Sequence, residues 1–212
     1  MKIVAIIPAK NRNGYYEKGD LNNWGDVSLL EWKISQAKKI KNVSEVFIST
    51  ENKEIKEIAK YNNVKVIHRK SSGNLKSLYK FSSLNVKCDY ILWLNSTFPY
   101  LTEITINKFV TSFIKADKKK FDSALLYCQE NEYFFKYKQP VNFNLHTMPI
   151  ERKKIVPLKK ICNGAIIFDR KNMINNLNIG NRPLFKKVKW AESLEIKETK
   201  NIRSFRNFLI YT

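Results

Sequence analysis

The residues best suited to chemistry lie in the segment Lys2–Asp20, KIVAIIPAKNRNGYYEKGD. It starts as an apolar strand and turns at Pro8 into a basic, polar loop with Lys10, Asn11, Arg12 and Lys18. Cationic side chains and free backbone N–H groups where a strand hands over to a helix can cradle phosphate. The same residues can also do no more than solvate a turn. The loop has neither GxxxxGK[ST] nor GxGxxG, since its glycines are only Gly14 and Gly19. A phosphate site here must therefore rest on Lys and Arg side chains, helped by backbone N–H groups from Ala9 to Arg12.

Such a loop acts only where its flanking elements hold it. Lys2–Ile7 is an almost unbroken apolar run, the pattern of a strand buried on both faces. In SLLEWKISQAKKIK, Ser28 and Glu31 form a capping-box pair, and Leu30, Ile34 and Ala37 recur at helical spacing. EVFIS (45–49) is predicted as a strand, NKEIKEIAKYN as a helix with Ile55, Ile58 and Ala59 inward, and VKVIH as a third strand. A polar break at Lys70–Asn74 precedes a helix through Leu75 and Leu78. DYILWL (89–94) is the most apolar strand. Thr102 then caps a helix with Ile106, Phe109, Val110 and Phe113 inward. SALLYC and AIIF (165–168) read as further strands, and the last helix turns Ile202, Phe205 and Leu209 inward.

This alternation predicts an α/β fold in three layers, a mostly parallel Rossmann-like sheet with helices on both faces. It reads as a single domain over 1–212, with an excursion or dimerisation arm at 130–160 where the pattern breaks around Pro140, Pro149 and Pro157. In such sheets ligands bind at the carboxyl ends of the strands. The expected site therefore gathers the loops after Ile7, Ser49, Leu94 and Phe168. They carry Lys10, Asn11 and Arg12; Thr50 and Glu51; Asn95, Ser96 and Thr97; Asp169 and Arg170.

Composition narrows the function classes. The 212 residues include 43% hydrophobic ones, enough for a core without staples. Cys88, Cys128 and Cys162 have neither disulfide nor zinc spacing, and His68 and His146 stand alone. The absence of a membrane-length apolar run or a secretory leader sets the expectation of a cytoplasmic protein that meets no membrane. The net charge of +20 fits a nucleic acid or a small anion. Its basic pairs are scattered along the chain, so nucleic acid is not the expected principal partner.

Taken together, these segments resemble the cytidylyltransferases that activate acidic sugars, most of all the acylneuraminate cytidylyltransferases, or CMP-sialic acid synthetases. IVAIIPAK looks like that family's Ile-Ile-Pro-Ala-Arg opening. DYILWLNSTFPYLT looks like its Leu-Gln-Pro-Thr-Ser-Pro-Leu-Arg segment, and CNGAIIFDR like its Arg-x-Asn-Gly-Ala-Ile-Tyr strand. The resemblance covers most of the chain. It implies the nucleotide-diphospho-sugar transferase fold and a homodimer. It also implies a reaction in which the sugar's anomeric hydroxyl attacks the α-phosphate of CTP, giving a CMP-sugar and pyrophosphate. On that likeness Lys10 takes the place of the loop arginine, with Lys18 as its possible companion. Ala9, Lys10, Asn11, Arg12, Asn95 and Thr97 are the nucleotide-binding candidates, and Asn163 and Gly164 the substrate-binding ones. The family holds Mg²⁺ with an Asp-x-Asp pair, which here reads Glu195 and Lys197. Glu195 is thus the metal candidate, and Glu198 the nearest further acid.

The departures leave other readings open. The loop is longer than the family's and lacks its glycine pair, Leu101 replaces an arginine, and Glu51 replaces an aspartate. A lysine cannot ligate magnesium when protonated. A non-catalytic relative that binds a nucleotide or sugar nucleotide, or a partner subunit, fits these departures. A nucleic-acid module fits the stretch EYFFKYKQPVNF, whose aromatics could stack on bases. Glu51 can equally be a first-turn acid favouring a helix dipole. Tyr133, Phe134, Phe135 and Tyr137 can equally be core or interface residues.

Overall fold

The structure is a computed structural model that describes residues 1–12, 18–69, 74–147, 154–176 and 178–196. The expected last helix, Lys197, Glu198, Pro149 and most of the polar break after Arg69 lie outside the described residues. The elements run in chain order. Strand β1 (Ile3–Pro8) leads through the basic loop and a 3₁₀ turn (Gly19–Leu21) to the short hairpin β2 (Asn23–Trp24) and β3 (Val27–Ser28). Then come α1 (Leu29–Lys38), β4 (Glu45–Thr50), α2 (Lys53–Tyr61), β5 (Lys65–His68), α3 (Leu75–Leu84), β6 (Tyr90–Leu94) and α4 (Glu103–Lys115). Strand β7 (Ser123–Glu130) precedes the small hairpin β8 (Phe135–Lys136) and β9 (Gln139–Pro140). β10 (Leu158–Asp169), α5 (Arg170–Asn176) and β11 (Pro183–Lys187) follow.

The predicted helix starts form for the predicted reasons. Ser28 accepts from the Glu31 amide at 3.1 Å while the Glu31 carboxylate accepts from the Ser28 amide at 2.9 Å, a closed capping box. Asn52 and Thr102 cap α2 and α4 through side-chain oxygens. The apolar stripes fall where expected, with Leu30, Ile34 and Ala37 of α1 and Ile106, Phe109, Val110 and Phe113 of α4 buried. The expected helix through Leu75 and Leu78 forms as α3. Leu75 is its first residue, with a side chain that faces solvent while Leu78 and Tyr79 face the sheet.

Among the described residues, seven strands form one sheet in the order β11-β7-β10-β6-β1-β4-β5. β1 runs parallel to β4 and β6, β4 to β5, and β7 to β11. Among these described strands only β10 is antiparallel to its neighbours, β6 and β7. α1, α2 and α4 cover one face and α3 and α5 the other, each with its own apolar cluster. This is the nucleotide-diphospho-sugar transferase arrangement of a mixed, mostly parallel sheet. Ile3 to Ile7 of β1 are all buried at its centre, and each such isoleucine contributes roughly 1.5–3 kcal/mol relative to exposure. The central strand is therefore a rigid base for the loop that leaves it. No helix among the described residues is long and apolar enough to cross a membrane.

The reversal of β10 corrects one expectation. The loop after Phe168 does not join the site. Asp169 lies opposite Tyr90, and the Arg170 amide donates to Asp89, at the end of the sheet where β6 begins. The other end of the strand takes its place. Asn163 and Gly164 lie beside the exit of β6, where the Asn95 amide donates to the Gly164 carbonyl at 3.1 Å.

Candidate active site

The chain passes from β1 to β4 and β5 on one side, then crosses back to β6 on the other side of β1. The carboxyl ends of β1 and β6 thus flank a topological switch point, where open α/β sheets place ligands. A cavity of about 140 Å³ opens there. Pro8 and Leu78 give it apolar lining, and Lys10, Asp20, Arg69, Asn95, Ser96 and Thr97 give it polar groups. A larger cavity, about 290 Å³, lies at the opposite end of the sheet beside Lys38, Glu45 and Lys65. Its charges are already bonded, Lys65 to Glu45 and Lys38 to the Asn62 carbonyl. The switch-point cavity is the one with chemistry to offer.

Asp20 shapes the basic loop. Its carboxylate accepts from the Lys10 amide at 2.7 Å, and its own amide donates to the Lys10 carbonyl at 2.8 Å. The two residues staple the base of the loop. Gly19 makes this closure possible. Its φ is +49°, and a Cβ there would sit 2.3 Å from the Lys10 carbonyl oxygen. The other Asp20 oxygen accepts from the Ser96 hydroxyl, tying the loop to the exit of β6. Burial raises the Asp20 pKa above the ordinary 3.8, against the lowering effect of the Ser96 and Lys10 hydrogen bonds and the charges of Arg69 and Lys10.

Arg69 supplies the cation the sequence reading missed. Its Nε donates to the Glu51 carboxylate at 2.6 Å and its Nη2 to the Ala9 carbonyl at 3.0 Å. Its Nη1 is buried and has no hydrogen-bond partner among the described residues. Buried donors are almost always satisfied, and Arg69 is also a lining residue of the cavity, so this donor is a candidate partner for an acceptor that arrives with a ligand. The available signal was position: Arg69 directly follows a strand at the carboxyl edge of the sheet.

The sequence candidates fall into groups. Lys10, Asn95 and Thr97 line the cavity. Asn95 is committed within the fold, donating to the Asn163 carbonyl at 2.7 Å and accepting from the Trp93 indole at 3.2 Å. Ala9 is fully buried, its amide donating to Ser49 and its carbonyl accepting from Arg69. Asn11, Arg12 and Lys18 are exposed at the two ends of the loop whose middle, 13–17, lies outside the described residues. Gly164 is packed under Phe98 and Leu101, where a Cβ would meet Leu101 Cδ2 at 2.8 Å, and Asn163 beside it is exposed. Glu195 is half-buried, engaged within the protein, and outside the cavity lining.

The described donors do not make a magnesium site. Among the described residues Asp20 is the one carboxylate that lines the cavity, and both its oxygens already accept hydrogen bonds. No trio of His, Cys, Asp or Glu converges among the described residues, and position 197 holds a lysine. What the described groups can do is bind an anion or a carbonyl-rich ligand through Lys10 and Arg69, close to the buried Asp20.

Comparison with known proteins identifies the family. The pattern of a family described as cytidylyltransferase matches residues 5–138. The 3-deoxy-manno-octulosonate cytidylyltransferase of Bdellovibrio bacteriovorus is 30% identical over 131 residues, which are 59% of this chain and 51% of that protein. N-acylneuraminate cytidylyltransferase B of Danio rerio is 24% identical over 181 residues, 77% of this chain and 41% of that one. The chain thus spans about half the length of the curated relatives it matches, or less. Among solved structures, CMP:2-keto-3-deoxy-manno-octonic acid synthetase complexed with CTP superposes with a TM-score of 0.74 at 13% identity, over 100% of this chain and 99% of that one. The 4-diphosphocytidyl-2C-methyl-D-erythritol synthase of Anaerococcus prevotii gives 0.68 at 13% identity, over 98% and 96%. At such identities these superpositions establish the fold.

Proposed function

The chain belongs to the cytidylyltransferase family, and from that premise we propose that it joins CTP to an acidic keto sugar, giving a CMP-sugar and pyrophosphate. The observation that carries the reading is Arg69, buried at the lining of the switch-point cavity with an Nη1 that has no hydrogen-bond partner among the described residues. The family relatives named above act on octulosonate and N-acylneuraminate. Both are acidic sugars, so the acid rather than one particular sugar is the supported common feature; the sialic-acid type is the narrower form of the proposal.

The chemistry asks little covalent work of the protein. The sugar hydroxyl attacks the α-phosphorus and gives up its proton to solvent, the bond between that phosphorus and the α,β-bridging oxygen breaks, pyrophosphate leaves, and negative charge grows on the phosphoryl oxygens and the leaving group. Preorganised cations stabilise that charge best where water is scarce. In this proposal Lys10 and Arg69 hold the nucleotide from the cavity wall, and Arg12 and Lys18 close on the phosphates from the loop. Lys10 brings charge without the bidentate fork of the arginine it replaces. Asn163 and Gly164, beside the exit of β6, face the sugar side. The hairpin β8–β9, with exposed Phe135 and Tyr137, is the surface proposed to meet a second copy.

The test has two stages. Thermal melts with CTP, UTP, ATP and GTP, each with and without Mg²⁺, read the nucleotide. Ligand at about 100 times its Kd adds roughly 2.7 kcal/mol, or on the order of 5–10 °C for a chain of this size. A CTP-selective rise is expected. Pyrophosphate release from CTP with octulosonate and neuraminate acids then reads the reaction. Lys197 at the family's second acid position favours a second reading, a non-catalytic nucleotide-binding relative. A CTP shift without any pyrophosphate across the panel would establish it.

A further inference from the structure

Glu51 and Arg69 immediately follow two neighbouring parallel strands. β4 pairs with β5 so that Thr50 lies opposite His68, which brings the next residue of each strand side by side. The Arg69 amide extends the ladder by donating to the Thr50 carbonyl at 3.2 Å. The guanidinium is then held at two of its three nitrogens, Nε by Glu51 at 2.6 Å and Nη2 by Ala9 at 3.0 Å. A planar group fixed at two corners has no freedom left at the third. Its side chain is 1% exposed, so water does not compete for it.

The ordinary explanations of Glu51 do not suffice. It precedes the cap of α2, because Asn52 is the residue whose side chain accepts from the Ile55 amide at 3.0 Å. The acid in the first turn of that helix is Glu54. Glu51 is 35% exposed, and ion pairs with an exposed partner contribute little to stability. What it does in the geometry is hold Arg69 in place.

We infer that Glu51 is a positioning residue: it holds the Arg69 guanidinium in place at the cavity wall and thereby sets the nucleotide affinity, without touching the nucleotide. This rests on the reading that the cavity takes CTP. It also gives the departure from the family's aspartate a consequence, since the longer side chain is the one matched to the Arg69 Nε here.

The experiment is a double-mutant cycle on CTP affinity, read by calorimetry, with melting temperature recorded for each apo protein. Arg69→Ala and Glu51→Ala are each expected to weaken CTP by roughly tenfold or more, the scale of one hydrogen bond to a charged group. The double variant is expected to bind no worse than Arg69→Ala alone, because Glu51 acts only through Arg69. Glu51→Gln keeps an oxygen acceptor for Nε and is expected to stay within about threefold of the unaltered protein. The apo Glu51 variants should melt within a few degrees of it. Should Arg69→Ala not fold, Arg69→Lys takes its place, keeping charge but not the two-point hold. Normal CTP binding by Glu51→Ala, with binding lost in the Arg69 variant, overturns the inference and leaves the CTP reading standing. Additive losses overturn it as well. Failure of the unaltered protein to bind CTP overturns the reading beneath it.

Discussion

At the scale of single residues, the loop depends on Gly19 and Asp20. An alanine at position 19 would have to hold φ near +49° with its Cβ against the Lys10 carbonyl. Gly19→Ala should therefore cost about 1–2 kcal/mol or more, read by urea melts, and should abolish the CTP-induced rise in melting temperature. Asp20 makes a prediction in pH. Burial raises its pKa above the unfolded 3.8, so the folded protein holds that proton more tightly than the unfolded chain. The stabilisation this brings is complete below about 3.8 and is lost as pH rises through the folded value. Asparagine does not titrate. The stability of the unaltered protein relative to Asp20→Asn should thus fall as pH rises from about 4 towards neutral; parallel curves would remove the buried charge from the account. Neither Asp20 nor Arg69 was legible as a site residue in the sequence. An aspartate in a polar loop reads as a solvated turn, and its partner Ser96 is 76 residues away. Arg69 borders a polar stretch and reads as part of a break. Lys10, by contrast, was legible, because the strand that ends just before it announces where it must stand.

At the scale of elements, periodicity revealed the helices and most strands because burial imposes it directly. The direction of β10 was not legible, since an apolar run looks the same read in parallel or antiparallel. Helix α1 shows a related blind spot. Its stripe of Leu30, Ile34 and Ala37 was plain, but Lys33 lies on the same face and is fully buried. Its Nζ donates to Gln36 at 2.6 Å and to the Phe98 carbonyl at 3.1 Å, pinning the loop that begins with Asn95, Ser96 and Thr97. Trp32 of the same helix donates to the next carbonyl, Pro99, at 2.9 Å. Desolvation lowers the Lys33 pKa from 10.5 to about 7, against the raising effect of Cys162 and Glu103. Between those two values the unfolded chain binds more protons than the folded one, so stability rises with pH. A neutral amine still has two N–H donors for its two acceptors. The unaltered protein should therefore gain stability relative to Lys33→Met as pH rises from about 7 to about 10, by a few kcal/mol at most. Denaturant melts of both at the two pH values check it, and the other lysines cancel in the difference. A difference that stays constant would mean that Lys33 remains charged in the core.

At the scale of the whole molecule, the topology concentrates function while the charge is spread out. The strand order sends the chain away from β1 on both sides, and the crevice this leaves was legible from the alternation of strands and helices alone. The +20 net charge is a different kind of feature. It arises from scattered pairs such as Lys38-Lys39 and Lys186-Lys187 rather than from one binding surface. The two features should separate with salt. Attraction of polyanions to scattered surface lysines weakens as the screening length falls below the roughly 8 Å of 0.15 M salt, whereas contacts to a buried group are screened much less. Arg69 is such a group, with 1% of its side chain exposed. At about 0.5 M salt the protein should elute from heparin resin, while saturating CTP should still raise its melting temperature by several degrees. A CTP response that disappears together with heparin retention would make nucleotide binding a property of the basic surface. A response that survives would make it a property of the cavity at the switch point, where Arg69 is buried with a donor unpaired among the described residues.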